Sequence, residues 1–247
     1  MHEEIPGWER DQQLMQQARI RRGSEQPPFI RAETARRGSY PHSLVCNHNG
    51  HSATLKYRRS RWSWLAEEVG VVRYRELFCW VTLGKQRVSA FQLFEYELSP
   101  LLDNEHFVQV MDAESSIECE LAEVLCEAWD WFSDEVSDYG NLLDFRMAWT
   151  DPEQCPHGLW CKAANDLIAH EFPRHALLTM KAFPLEYEGR APGDAKSHVG
   201  LLSRQRAMVK YYHRQFGVNA FPGPSGSDGW LYKINKALAD VVLPPRD

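Results

Sequence analysis

Nowhere in this chain of 247 residues do about 18 apolar residues run together, the length a helix needs to cross a bilayer, so no membrane span or membrane partner is expected. The first thirty residues lack the apolar stretch of a signal peptide, and the cytoplasm is the expected location. No CxxC pair occurs either. Cys46, Cys79, Cys119, Cys126, Cys155 and Cys161 are scattered among apolar neighbours, which suits reduced, mostly buried thiols rather than disulfide staples. Cys46, His48 and His51 in CNHNGH carry metal-ligand atoms, but no fourth partner stands at zinc spacing and no metal is expected. Basic residues are nearly missing from one region: residues 101–150 hold thirteen Asp/Glu and a single Arg146, whereas residues 1–60 hold ten Lys/Arg against six Asp/Glu. A basic arm, residues 1–51, on an acidic body follows. The arm can meet an anionic partner such as nucleic acid or dock on its own acidic domain; no recognised nucleic-acid motif interleaves its arginines, so self-docking or plain solvation is preferred.

What is present is ample material for a core, with an apolar fraction of 43%. Asp11 to Arg22 fits a short helix, barred from continuing by the prolines at 27 and 28. Ala53, Leu55 and Tyr57 alternate as a strand, and the Trp62/Trp64 segment reads as a short helix ending near Gly70. Glu76 to Leu83 and Val88 to Tyr96 form a hairpin about Gly84-Lys85. Phe107 to Met111 extends a strand or approaches the next helix. From Ser116 to Phe132, Ile117, Leu121, Val124, Leu125, Ala128 and Phe132 repeat at helical spacing, with Ser115 and Glu118 as a capping box. Ala176 to Tyr187 is a buried strand interrupted at Pro184, and 188–200 is a loop. Arg204 to Phe216 is a helix ended by Gly217, 219–229 is irregular, and Trp230 to Ile234 is a final strand.

The most informative stretch is Leu142 to Phe172. Leu143, Phe145, Met147 and Trp149 alternate as a strand, a turn-rich loop runs from Asp151 to His157, and Trp160, Ala164, Leu167 and Ile168 share one helical face. A strand, a tight loop and a helix opening at Gly158 can hold phosphate, because the free N–H groups of the first turn and the positive end of the helix dipole face the loop.

In order from the hairpin, the elements are strand, strand, helix, strand, helix, strand, helix, strand. That order, with RQRAMVKYYHRQFGV before the last strand, resembles the GNAT superfamily of N-acetyltransferases over roughly residues 70–235. The resemblance implies an α/β (α+β) domain over 52–247, with a central mixed, mostly antiparallel sheet flanked by helices and a polar N-terminal extension. It implies acetyl-CoA as cosubstrate, entering where a central strand splays from its neighbour. Met147, Ala148 and Trp149 would then line the pantetheine arm, with His157, Gly158, Leu159 and Trp160 at the pyrophosphate. Ala207 and Tyr211 fit the family's late helix, Tyr212 is a second candidate, and either phenol can return a proton to the CoA thiolate. Asp144, Glu186, Glu188 or the Asp112/Glu114 pair would serve as base, although Asp112 also fits a helix cap.

In the family loop, Glu153 and Pro156 stand where other residues are usual. Glu153 brings a negative charge to a pyrophosphate and Pro156 has no N–H to donate, so Lys162 or Arg146 would have to help. The functional expectation is an acetyltransferase acting on an amine, a cationic one suiting the acidic body. The alternative is an inactive binding or regulatory protein of the same fold. A homodimer is a further possible assembly.

Overall fold

The structure is a computed structural model that describes residues 40–65, 71–183 and 195–246. The expected helix at 11–22, most of the basic arm, and Glu186 and Glu188 lie outside these residues. The architecture is mixed α/β, a mostly antiparallel sheet between helices. Its strands are β1 (His42–His48), β2 (His51–Arg59), β3 (Ser63–Leu65), β4 (Val72–Leu83), β5 (Gln86–Leu98), β6 (Asn141–Thr150), β7 (His175–Lys181), β8 (Asn219–Ala220) and β9 (Trp230–Ile234). They are ordered β1-β2-β4-β5-β6-β7-β9-β8, with β3 following β2 along the same side of β4. Only β6 and β7 pair in parallel among the described strands.

The sheet begins at His42, inside the stretch read as arm. Leu44 and Cys46 face the core while Val45 is 62% exposed, so β1 alternates as an edge strand should. The Trp62/Trp64 segment is strand β3 and not a helix. It pairs with β4, and the Trp62 ring takes the guanidinium groups of Arg73 at 5.0 Å and Arg75 at 4.6 Å. The β4–β5 hairpin turns at Gly84-Lys85 as expected.

Helices α1 (Asn104–Glu114) and α2 (Ser116–Ala128) fill the connection from β5 to β6. Phe107, Val110 and Met111, which the sequence left between strand and helix, are the buried face of α1, and Asp103 caps it by accepting from the His106 N–H at 2.8 Å. The α2 cap is Ser115, whose Oγ accepts from Ile117 at 3.2 Å and Glu118 at 3.4 Å; Asp112 belongs to α1 and caps nothing there. Trp129 stops α2 at Ala128. Its backbone is extended, its indole donates to the Leu243 carbonyl at 2.9 Å, and a one-turn helix α3 (Phe132–Glu135) follows.

Helix α4 (Leu159–Glu171) joins β6 to β7, and α5 (Ala195–Phe216), longer than expected, leads to β8. Within 219–229, expected to be irregular, α6 (Gly223–Ser227) precedes β9. Two cores result, one on each face of the sheet. On one, Leu143, Phe145, Leu77 and Phe91 meet Trp160, Ala164 and Leu167 of α4 and Tyr212 and Phe216 of α5. On the other, Leu142, Tyr96 and Leu177 meet Leu121, Leu125 and Phe107 of α1–α2. Each fully buried aliphatic or aromatic side chain contributes about 1.5–3 kcal/mol. Where β6 starts, Gly140 (φ 155°) lets two strands approach: a Cβ there would stand 2.0 Å from the Arg174 carbonyl oxygen.

Candidate functional site

Strand β6 changes character halfway along. Gln92 of β5 faces Met147 and Leu93 faces Phe145, so Arg146 has no opposite residue and forms a bulge. Its partnership with β7 ends at the same place. Phe145↔Met180 is the last rung of the parallel ladder, β7 stops at Lys181, and β6 runs on to Thr150 paired with β5 alone. The β7-facing edge of residues 146–150 therefore has no ladder partner among the described residues. We call this unpaired stretch between the described ends of β6 and β7, at the strand end that leads into α4, the gap.

One side of the gap is ionic. The Arg146 side chain, 9% exposed, donates from Nη2 to Glu118 Oε1 at 2.8 Å and to the Tyr96 hydroxyl at 3.0 Å, and from Nε to Asp144 Oδ2 at 2.8 Å. Thr179 Oγ1 donates to the other Asp144 oxygen at 3.1 Å, and the guanidinium lies 4.9 Å from the Phe94 ring centre. Two carboxylates thus share one guanidinium. Burial raises the Asp144 pKa even though Arg146 pulls it down. Burial also pushes Glu118 up, but the Arg146 charge and the Ser115 hydroxyl outweigh it and leave that carboxyl below its ordinary value. Asp144, 2% exposed and held on both oxygens, is an ion-pair partner in this arrangement and is not presented to an incoming amine. Arg146 is likewise occupied, and does not face the loop as a phosphate ligand.

The other side holds the loop and the start of α4. Asp151 Oδ1 accepts from the Glu153 N–H at 2.9 Å and the Gln154 N–H at 3.1 Å. The Leu159 N–H goes to the Pro156 carbonyl at 3.0 Å. Those three amides are spent locally. Gly158 caps the helix in the left-handed conformation (φ 79°), and the space a side chain would take is bordered by His48 Nε2 of β1 at 3.1 Å and Gln215 Oε1 of α5 at 3.5 Å. His48 Nε2 lies 3.0 Å from the His157 carbonyl oxygen. Lys162, the other candidate phosphate ligand, pairs with Asp166 one turn on. Glu153 is exposed.

Tyr211 reaches this corner. Its hydroxyl accepts from the Cys161 thiol at 3.2 Å, and its ring lies 5.7 Å edge-on from His157 and 6.4 Å from Trp160. Burial, then the Cys161 contact, raises its pKa, so the phenol keeps its proton at neutral pH. Tyr212 turns to Trp160 and Phe216 in the core, and burial raises its pKa as well.

His157, Gly158, Leu159, Trp160 and Tyr211 therefore come together, with Phe145 behind them 5.7 Å from Trp160. Met147 and Ala148 lie on the open edge, and Ala148 packs on the same core as Tyr211. Trp149 packs the opposite way, against the Phe78, Trp80 and Ala90 cluster. Its indole nitrogen is the one buried side-chain polar atom without a hydrogen bond among the described residues.

The sequence marked His48 only as a metal-ligand candidate in CNHNGH, not as a neighbour of the loop, and carried no sign of Gln215 from the last long helix. It also could not pair Glu118 with Arg146. Glu118 does turn back to Ser115, as the capping-box spacing implies, but to its hydroxyl through Oε2, because the Ser115 N–H goes to the Met111 carbonyl at 3.3 Å; Oε1 is left to meet Arg146 of the sheet. Among the described residues no cluster of His, Cys, Asp and Glu is arranged to hold a metal ion, and no helix is long and apolar enough to cross a membrane. No protein-family model, no curated protein and no solved structure matches the chain.

Proposed function

We propose that the protein is an acyl-CoA-dependent N-acyltransferase of GNAT type that moves an acetyl group from acetyl-CoA to an amine. The observation that carries this reading is the edge of β6 beyond Phe145, bulged at Arg146, without a ladder partner toward β7, and ending at the N-terminus of α4. An open strand edge offers alternating N–H and C=O groups to an extended amide-bearing chain, as a pantetheine arm is. Tyr211 stands at the same corner with its proton in place. Transfer from sulfur to nitrogen releases one proton from the amine and requires one at the departing thiolate; Tyr211 supplies the second, and the proton the amine gives up passes to water and restores the phenol.

The loop fits pyrophosphate less well, because Glu153, Gln154 and Leu159 have already committed their amides and Pro156 has none. That observation favours a second reading, a protein of the same fold that binds a partner in the gap without catalysis.

Calorimetric titration with acetyl-CoA separates the two. The enzyme reading expects a dissociation constant on the order of micromolar to submillimolar. It also expects Tyr211→Phe to lower kcat by about 10²–10⁴-fold with binding retained. No heat and no thermal stabilisation at millimolar acetyl-CoA would leave only the second reading.

A further inference from the structure

The gap between β6 and β7 is spanned by α2. Glu118 of α2 pairs with Arg146, the first residue of β6 beyond the ladder. Glu120, two residues on, pairs with Lys181, the last residue of β7, and accepts from the Trp230 indole of β9 at 2.9 Å. The Lys181 ammonium also lies 5.4 Å from the Trp230 ring centre. One helix therefore holds both lips of the gap by ion pairs from a single turn. Inside the lips, the Thr179 to Asp144 hydrogen bond joins the two strands across their last shared rungs. The two grips differ in kind. At Arg146 and Glu118 the side chains are 9% and 8% exposed, whereas at Lys181 and Glu120 they are 29% and 38% exposed. The inner grip is shielded from water and fixed by four partners; the outer one is open to solvent and screening.

We propose that α2 is a clasp that sets the width of the gap, with Arg146 and Glu118 as its fixed jaw and Lys181 and Glu120 as its movable one. Release of the Lys181 jaw lets the end of β7 move away from β6 while the Arg146 jaw keeps the bulge in place. These four are positioning residues. The ligand that the width serves rests on the acyltransferase reading above, but the clasp itself does not.

The test uses Glu120→Gln and Lys181→Met, singly and together, in the full chain, because both positions are partly exposed and a glutamine at 120 can still accept from the Trp230 indole. Amide hydrogen exchange at Phe145, Met180, Lys181 and Trp230 is read without any ligand, beside thermal unfolding and acetyl-CoA titration. Each single variant is expected to speed exchange at these four amides by about tenfold, leaving Leu142 and Leu177 unchanged. The melting temperature should move by no more than about 3 °C, as an exposed pair allows. The double variant should be no worse than either single one, since both break the same contact. Acetyl-CoA affinity should fall by several-fold in step with the exchange. Unchanged exchange at the four amides overturns the clasp, and so does a rise spread evenly over the sheet, which is what general loosening produces. Failure of the unsubstituted protein to bind acetyl-CoA overturns the acyltransferase reading instead, and the exchange result still judges the clasp.

Discussion

Replacing Arg146 by methionine removes the one positive charge shared by Asp144 and Glu118 and keeps a side chain of similar reach. In the unsubstituted protein the guanidinium satisfies both carboxylates and the Tyr96 hydroxyl within 3.0 Å, in a site where its side chain is 9% exposed. Without it two carboxylates remain buried with only Thr179, Ser115 and Tyr96 as hydrogen-bond partners. Breaking a buried pair in this way costs about 3–5 kcal/mol, which for a chain of this size lowers the melting temperature by about 10 °C. The pH dependence gives the test its direction. Glu118 has a folded-state pKa below its ordinary value, so its contribution is present above that value and is lost on acidification. Asp144 has a folded-state pKa above its ordinary value, so its contribution runs the other way, full at low pH and lost as pH rises. Loss of Arg146 raises both pKa values. The defect should therefore be largest near pH 7 and shrink toward pH 4, where protonation removes the unpaired charges. Adding Asp144→Asn and Glu118→Gln should restore most of the stability at pH 7. Urea unfolding of the three proteins at pH 7 and pH 4.5 measures this. A loss under about 1 kcal/mol at pH 7, or a defect that grows on acidification, would refute the charge-sharing account.

Gly140→Ala places a methyl group 2.0 Å from the Arg174 carbonyl oxygen and should cost several kcal/mol, seen as a collapse in the yield of folded protein. Trp149→Phe removes a buried donor that has no partner among the described residues; the gain of about 1–3 kcal/mol offsets the lost ring area, and unfolding should show no net loss of stability. Burial holds the His175 pKa below 6.5 while Nδ1 bonds the Phe172 carbonyl at 2.6 Å. Its contribution is therefore full above 6.5 and lost as pH falls below it, and a His175→Gln variant should show a flatter stability slope between pH 7 and 5.

Local signals carried much of the fold into the sequence. Gly84-Lys85 between two alternating runs marked the β4–β5 hairpin, and the spacing of Leu121, Val124, Leu125 and Ala128 marked α2, because both depend on neighbours a few residues away. Trp62 and Trp64 misled for the opposite reason. What makes Ser63–Leu65 a strand is its pairing with β4 and the arginines that flank Trp62, none of which is local. The end of α2 was also hidden, since Trp129 leaves the helix to reach a carbonyl at Leu243. In the candidate site, the strand, the loop and Gly158 were legible from alternation and turn residues. The roles of Asp144, Arg146 and Lys162 were not. Each looked available for chemistry, and each is engaged by a charge in the folded chain: Arg146 for Asp144, Glu118 and Asp144 for Arg146, Asp166 for Lys162; of these partners only Glu118 is distant in sequence.

The placing of α1 and α2 between β5 and β6 also has a consequence in time. Strands β1 to β5 close through short connections and need nothing made after Leu98, whereas the partner of β5 on its other side begins only at Asn141. During synthesis β5 is therefore an exposed sheet edge for as long as the intervening residues take to emerge, and an apolar edge of that length invites pairing with another chain. Gln92, Glu95 and Glu97 interrupt the run from Val88 to Leu98, and Arg75 and Arg73 opposite hold the two glutamates in place. Those charges act before the fold is complete, as guards on an edge that β6 later covers.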